Sequence, residues 1–301
     1  MTNRRWLILT TLGIFGLVSA NLLLSYSLDV YGILRDPHGR SLATSGLHIP
    51  TTDDRISKYL LNQRYVPSNF DGLLIGSSTT GNWNPDLIHG YRIYNESLAA
   101  GNATEEKTLV DQALRTGHFK LALCVLSPYV VGSHALKEGL DHVRRREALG
   151  SINSFGEEGA KALAALHLQQ NTFFPNGSRE LFVAMKLDKE LSPDLFQTDP
   201  QAIADYRSLI ETLESHGVKI VYVMPPLYQP LYDANRIRLE RFLQSMQTAL
   251  PPAPLIDFTG PEYAAYNSDP RNFSDGLHMS PAGAIEISQI LNRKLHALLD
   301  Q

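Results

Sequence analysis

The chain has 301 residues, 43% of them hydrophobic and 19% charged, with a formal net charge of -4. That length fits one large domain, or one domain carrying an insertion, and the composition argues against intrinsic disorder. A charge so near balance does not supply the basic face that nucleic-acid binding requires. A lone cysteine, Cys124, excludes an internal disulfide and any cysteine-type metal site.

Arg4 and Arg5 precede an uncharged stretch, residues 6–28, with Ile8, Leu9, Leu12, Ile14, Phe15, Leu17, Val18 and Leu22-Leu23-Leu24 as its apolar content. A run of about 20 apolar residues can cross a bilayer as a helix. The positive flank favours an N-terminus in the cytoplasm. Residues 1–28 are therefore expected to be a membrane anchor or a signal segment. Val18-Ser19-Ala20 resembles a small-residue cleavage site, which would give a secreted protein cleaved after Ala20. The apolar run continues through Leu22-Leu23-Leu24, which favours an uncleaved anchor. Both readings put the remainder on the extracytoplasmic side, periplasmic or outer.

Residues 29–69 read as a linker followed by a leading helix over about 53–63. Residues 71–75 form a short apolar run followed by Gly76 and Ser77, as in a buried parallel strand. Residues 91–95 read as a second strand, 102–116 as a helix, and 121–126 as a third strand with Cys124 as a small core residue. Residues 129–200 read as an insertion with helical stretches, clearest over 157–169. The alternation then resumes with a helix over 202–216, a strand over 218–224, a helix over 237–250, a short strand over 255–257 and a last helix over 281–299. Ser280 is the expected N-cap of that helix, with Pro281 in its first turn. Strands alternating with helices predict an α/β fold: a three-layer α/β/α sandwich over residues 70–301 with a mostly parallel, flavodoxin-like sheet of about five strands. Ligands of such sheets sit outside the C-terminal strand ends.

Two motifs fall at that edge. Gly76-Ser77-Ser78-Thr79 follows the first strand, and Asp275-Gly276-Leu277-His278 leads into the last helix. A serine is a poor nucleophile until a base takes its proton. His278 is the candidate base for Ser78, and Asp275 the group that orients the imidazole. A tetrahedral intermediate also needs an oxyanion hole. The backbone N–H of Ser78, after a strand-to-helix turn, and that of Gly101, in the loop after the second strand, are the candidate donors.

These blocks resemble the SGNH (GDSL-like) hydrolase superfamily. Gly76-Ser77-Ser78 matches the family's nucleophile block, with Ser77 where Asp is usual. Ala100-Gly101-Asn102-Ala103-Thr104 matches its glycine block, and Asp275-Gly276-Leu277-His278 continued by Met279-Ser280-Pro281-Ala282-Gly283 matches its last block. After the third strand the family pattern has Gly-Asn-Asp or similar, whereas this chain has Ser127-Pro128-Tyr129, so the Asn that would donate to the oxyanion is missing. The resemblance implies a serine esterase or O-acyltransferase. With the N-terminal segment, it points to the membrane-anchored SGNH-like proteins that add or remove acyl groups, often O-acetyl, on cell-surface polysaccharide. The implied partners are an acylated carbohydrate or acyl donor, the membrane through the N-terminal helix, and a polysaccharide-biosynthesis membrane protein. No cofactor is implied. The alternative is a degenerate scaffold of this family that binds polysaccharide or docks a biosynthetic partner without chemistry.

Weaker signals remain. Trp83, Tyr129 and Tyr228 follow strands and are candidates to stack on sugar rings, or else pack in the core or rim. Arg144-Arg145-Arg146 suits a solvated helix face better than a polymer site. Asn95, Asn102, Asn176 and Asn272 head glycosylation sequons, which are discounted because two flank the expected site. His89, His118, His142, His167 and His216 lack ligand spacing, so no metal site is expected.

Overall fold

The computed structural model describes residues 3–28, 34, 49–50, 54–132, 172–179, 187 and 191–299. Most of the insertion expected over 129–200, with its clearest helix at 157–169 and the Arg144–Arg146 cluster, lies outside the described residues.

Helix α1 (Asn3–Leu28) stands clear of the rest, with Phe15 and Leu17 about 70% exposed. Within it, Arg4–Leu24 is 21 residues long with mean hydropathy 2.1, long and apolar enough to cross a membrane. A signal sequence has the same character.

The body is built on strands β1 (Gly72–Ile75), β2 (Ile93–Asn95), β3 (Leu121–Val125), β4 (Lys219–Met224) and β5 (Leu255–Asp257). They form one sheet in the order β2-β1-β3-β4-β5. Every pairing is parallel, with Leu73 opposite Tyr94 and Ala122, and Val223 opposite Val125 and Ile256. This is the flavodoxin-like order, and the expected α/β architecture is present. The direction of strand addition reverses between β1 and β3, the switch point where such sheets bind ligands.

Alternating side chains fill a core on each face, the mark of strands covered on both sides. On one face Leu73, Ile75, Ala122, Cys124 and Ile220 pack beneath α2 (Asp54–Leu61), α3 (Ala103–Leu114) and α4 (Pro200–Ser215). On the other, Leu74, Leu123, Val125, Val221 and Val223 meet Trp83, Phe258, Phe273 and helix α6 (Pro281–Leu299). Helix α5 (Gln229–Ala249) begins eight residues before the expected start, because Pro230 fits the first turn of a helix rather than breaking one. Asn102 and Glu105 form a reciprocal capping box that starts α3. Ser280 caps α6 as expected, its Oγ accepting from the Gly283 N–H at 3.1 Å.

The leading helix belongs to this body. Leu60, Leu61, Tyr65 and Val66 lie in the same buried cluster as Leu73, so the core extends upstream of residue 70 to Asp54. Two ion pairs add to the packing: Arg55 to Glu105 at 2.6 Å and Asp54 to Arg179 at 2.8 Å. We predict that Leu61→Ala, at a fully buried position, costs about 2–5 kcal/mol. The check is a shift of the urea midpoint of the full-length protein. A midpoint equal to that of the unsubstituted protein would show that α2 is an appendage.

Candidate active site

The chain after β1 makes one 3-10 turn, Ser78–Thr80. Close packing forces this turn. A Cβ on Gly76 would come within 2.8 Å of both Val125 and Thr80, so only glycine lets β1 end there. Thr80 Oγ1 bonds Ser97 Oγ at 2.8 Å, and Asn95 Nδ2 donates to the carbonyls of Thr80 and Trp83. Ser77 is buried with its Oγ on Thr79, whereas Ser78 is half-buried and points the other way. The two adjacent serines are thus separated by the turn itself.

The second segment arrives from far along the chain. Asp275 Oδ1 accepts the backbone N–H groups of Leu277 and His278, which shapes a tight loop. Gly276 has φ +92, a value that suits glycine. Asp275 Oδ2 lies 2.7 Å from His278 Nδ1, and His278 Nε2 lies 2.8 Å from Ser78 Oγ. A carboxylate can only accept, so Nδ1 carries the proton and Nε2 is the acceptor for the serine hydroxyl. That is the tautomer a general base needs. Burial pushes the Asp275 carboxyl up, but the hydrogen bonds from His278 and Leu277 outweigh it and hold the group below its ordinary value. Ser78, His278 and Asp275, chosen from sequence, are therefore in one hydrogen-bonded line.

The other expected site residues fare differently. The Gly101 N–H is committed to Leu98 O at 3.2 Å, closing a turn that holds Ala100 at φ +48, so it does not offer a free donor. This corrects its assignment as an oxyanion donor. Ser77, which precedes the turn at Ser78–Thr80, makes no side-chain cap to it, and it pairs in parallel with Leu98 as an isolated bridge. Trp83 is 1% exposed, its indole N–H on Met279 Sδ at 3.0 Å and its ring edge-on to Phe258. It is a strut between the two segments and presents no face to a ligand. Tyr129, in the short helix Pro128–Val131 capped by Ser127, does reach the site edge. It lines an apolar cavity of about 20 Å³ with Leu126, Leu195, Met224 and with Thr79 and Leu277, the chain neighbours of Ser78 and His278. Tyr228 packs against Phe273. Asn95, Asn102 and Asn176 are all buried, which agrees with discounting their sequons.

Sequence reasoning missed Asn82 and Arg179, which flank the Ser78 turn. Asn82 Nδ2 donates to Met279 O at 2.8 Å, and Arg179 packs on Gly81. The spacing of Asn82 from Ser78 was its only signal, and Arg179 had none. Among the described residues no group of three or more His, Cys, Asp or Glu side chains could hold a metal ion.

No family model and no curated protein sequence matches the chain. Among solved structures, the chain is similar to one described as "a putative platelet activating factor from Streptococcus pneumonia", with 14% identity over 82% of this chain and 91% of that one, at a TM-score of 0.45.

A carboxyl held below its unfolded value adds stability above that value and loses it as the pH falls through the folded one. The Asp275 contribution is therefore present above about pH 4 and fades in more acid solution. In thermal melts, the Tm gap between the unsubstituted protein and Asp275→Asn is expected to narrow as the pH falls below that point. A gap that stays constant down to pH 2 would show that the carboxyl is not held as described.

Proposed function

We propose that this chain is a serine-dependent carboxylic-ester hydrolase or O-acyltransferase. It is anchored by α1, with its body on the extracytoplasmic side, and acts on acyl esters of acetyl size on cell-surface or exported carbohydrate. The observation that carries the reading is the unbroken line from Ser78 Oγ through His278 to Asp275, at 2.8 and 2.7 Å, at the switch point of the sheet. The motif blocks around Ser78 and His278, in the order of the SGNH superfamily, support it.

The chemistry follows from the geometry. His278 Nε2 takes the hydroxyl proton as Ser78 Oγ attacks the ester carbonyl. The Ser78 N–H steadies the oxyanion. Asp275 fixes the imidazole and stabilises its charged form. The imidazolium then protonates the departing alkoxide, which leaves an acyl-Ser78. Water or a sugar hydroxyl, deprotonated by the same imidazole, takes the acyl group and restores the serine. The apolar cavity beside Thr79 and Leu277 is large enough for a group of about one methyl, which favours acetyl over a long acyl chain.

A scaffold without chemistry is the competing reading. It draws on two observations: the Gly101 N–H is already bonded, and Pro128 stands where the family pattern carries its donor Asn. A fluorophosphonate probe separates the two. Labelling of the full-length protein that disappears in Ser78→Ala supports the enzyme, and an unlabelled protein supports the scaffold. With 4-nitrophenyl acetate, Ser78→Ala and His278→Ala are each expected to lower kcat/KM by about 10³-fold or more, with Asp275→Asn equal or milder. The Ser78→Ala, His278→Ala double variant should be little worse than either single one, because the residues act as a unit. A His278→Ala protein that keeps most of its activity would defeat the assignment.

A further inference from the structure

A larger cavity, about 480 Å³, opens beside the Ser78 turn. That size suits a small organic ligand. Its polar walls are Asn82, Asn84 and Asp86, just after the turn, and Asn176 and Arg179, from a segment that crosses over it. Pro281 and Ile285 of α6 close the other side. Asn82 lies four residues after Ser78, on the order of 8 Å at the rise of a 3-10 turn, and Pro281 lies three residues after His278. A ligand here sits beside the triad rather than on it.

The wall is pre-built and incompletely paired. Asn176 Nδ2 bridges Asn84 Oδ1 at 3.0 Å and Asp86 Oδ2 at 2.8 Å, which fixes the three side chains as a unit. Asn82 spends its Nδ2 on Met279 O, leaving a buried Oδ1 with no partner. Arg179 spends Nη1 on Asp54, leaving buried Nε and Nη2 donors with no partner. The lining thus brings amide groups, a guanidinium and a carboxylate to one cavity. A hydroxyl both donates and accepts, so a polyol answers such a mixed wall. A simple anion would answer Arg179 alone and would face the Asp86 carboxylate. Phe174 and Ile285 supply the apolar surface on which the C–H face of a sugar ring rests.

We propose that this cavity is the subsite for the sugar ring that bears the ester, with Asn82, Asp86 and Arg179 reading its hydroxyls. The assignment rests on the ester reading above: the small apolar cavity takes the acyl group and this one takes the alcohol half. It makes the preferred substrate a neutral, hydroxyl-rich saccharide.

The test uses the full-length protein and three variants: Asp86→Ala and Arg179→Gln, which remove polar contacts, and Ile285→Trp, which fills the cavity from an exposed position. Folding is checked by thermal melts, and Ile285→Trp answers the question even where Arg179→Gln loses stability with its Asp54 pair. Binding is measured by calorimetry with xylopentaose, cellopentaose and chitopentaose, and turnover with O-acetylated xylo-oligosaccharide and 4-nitrophenyl acetate. The expected result is binding of at least one neutral oligosaccharide, weakened tenfold or more in Asp86→Ala and Ile285→Trp. The loss in kcat/KM should be at least tenfold greater on the acetylated saccharide than on 4-nitrophenyl acetate. No oligosaccharide binding, or binding that none of the variants alters, overturns the subsite. If Ser78-dependent cleavage of 4-nitrophenyl acetate persists in that case, the ester reading survives. Binding of glucuronate oligomers alone overturns the neutral-sugar assignment. Variant-sensitive binding without any Ser78-dependent cleavage keeps the subsite and removes the ester chemistry.

Discussion

The contact on which the site depends is the one that holds Met279 against the turn after β1. β5 is an edge strand, separated from β1 by β4 and β3. Three strand spacings amount to about 14 Å, so the chain leaving β5 must travel back across the top of the sheet before His278 can meet Ser78. Each stage of that path is fastened. The Gly276 carbonyl accepts from the Tyr228 N–H, above β4, at 3.0 Å. Met279 then receives Asn82 Nδ2 on its carbonyl and the Trp83 indole on its sulfur. Gly283, where a Cβ would lie 2.2 Å from Asn272 O, lets α6 start directly beneath. The 2.8 Å between Ser78 and His278 is the outcome of these fastenings, since neither side chain has the reach to find the other unaided.

The opposite wall of the turn is held from α2. Lys58 is buried, and its ammonium donates to the carbonyls of Asn95, Ser97 and Gly177 at 2.6, 2.9 and 3.1 Å. Burial lowers its pKa to about 8, with the nearby Glu96 carboxylate acting against that loss. Three carbonyls around one charge fix where the chain goes after β2 better than apolar packing does, because they fix direction as well as distance. Ser97 in turn holds Thr80 through their hydroxyls. The same lysine reaches Gly177, whose φ of +81 and close approach to Asn95 O admit no side chain. One ammonium thus registers the loop behind Ser78 and the segment that carries Asn176 and Arg179.

What the sequence made legible was what rests on local pattern. Strands β1, β3 and β4 are short apolar runs stopped by Gly76, Ser127 and Pro225, and their buried two-faced packing is what such runs encode. Ser78, His278 and Asp275 were legible because each sits in a short block whose turn chemistry is local: Gly76 ahead of the serine, and Asp275 capping its own loop. What failed was what rests on tertiary fastening. Trp83 reads in sequence as either a ring-stacking or a core residue, and only the fold decides, with its ring edge-on to Phe258 and its N–H taken by Met279. Gly101 looks like a free donor, and only the turn around Ala100 shows its N–H engaged. The reach of the body back to Asp54 was hidden because polar Lys58 and Asp54 are the anchors there, and buried charges carry no signature in a hydropathy pattern. Arg179 meets the site from about one hundred residues after Ser78, a distance no motif spans.

The line of Ser78, His278 and Asp275 is, on the proposed reading, indifferent to whether water or a sugar takes the acyl group from Ser78. On the proposed reading, the alcohol half leaves from the subsite beside Asn82 and Arg179, and by microscopic reversibility an acceptor sugar must enter by the same place. Occupancy of that subsite therefore favours transfer only while it also keeps water from the ester carbon. The apolar cavity contributes on the other side. A methyl group seated between Thr79, Met224 and Leu277 leaves no polar wall to order a water there. Water then has to approach from the same face as the sugar, so the two acceptors compete for one opening. The division between hydrolysis and transfer is thus, on the proposed reading, decided by how long the sugar side stays filled after the first alcohol departs, and not by Ser78, His278 or Asp275.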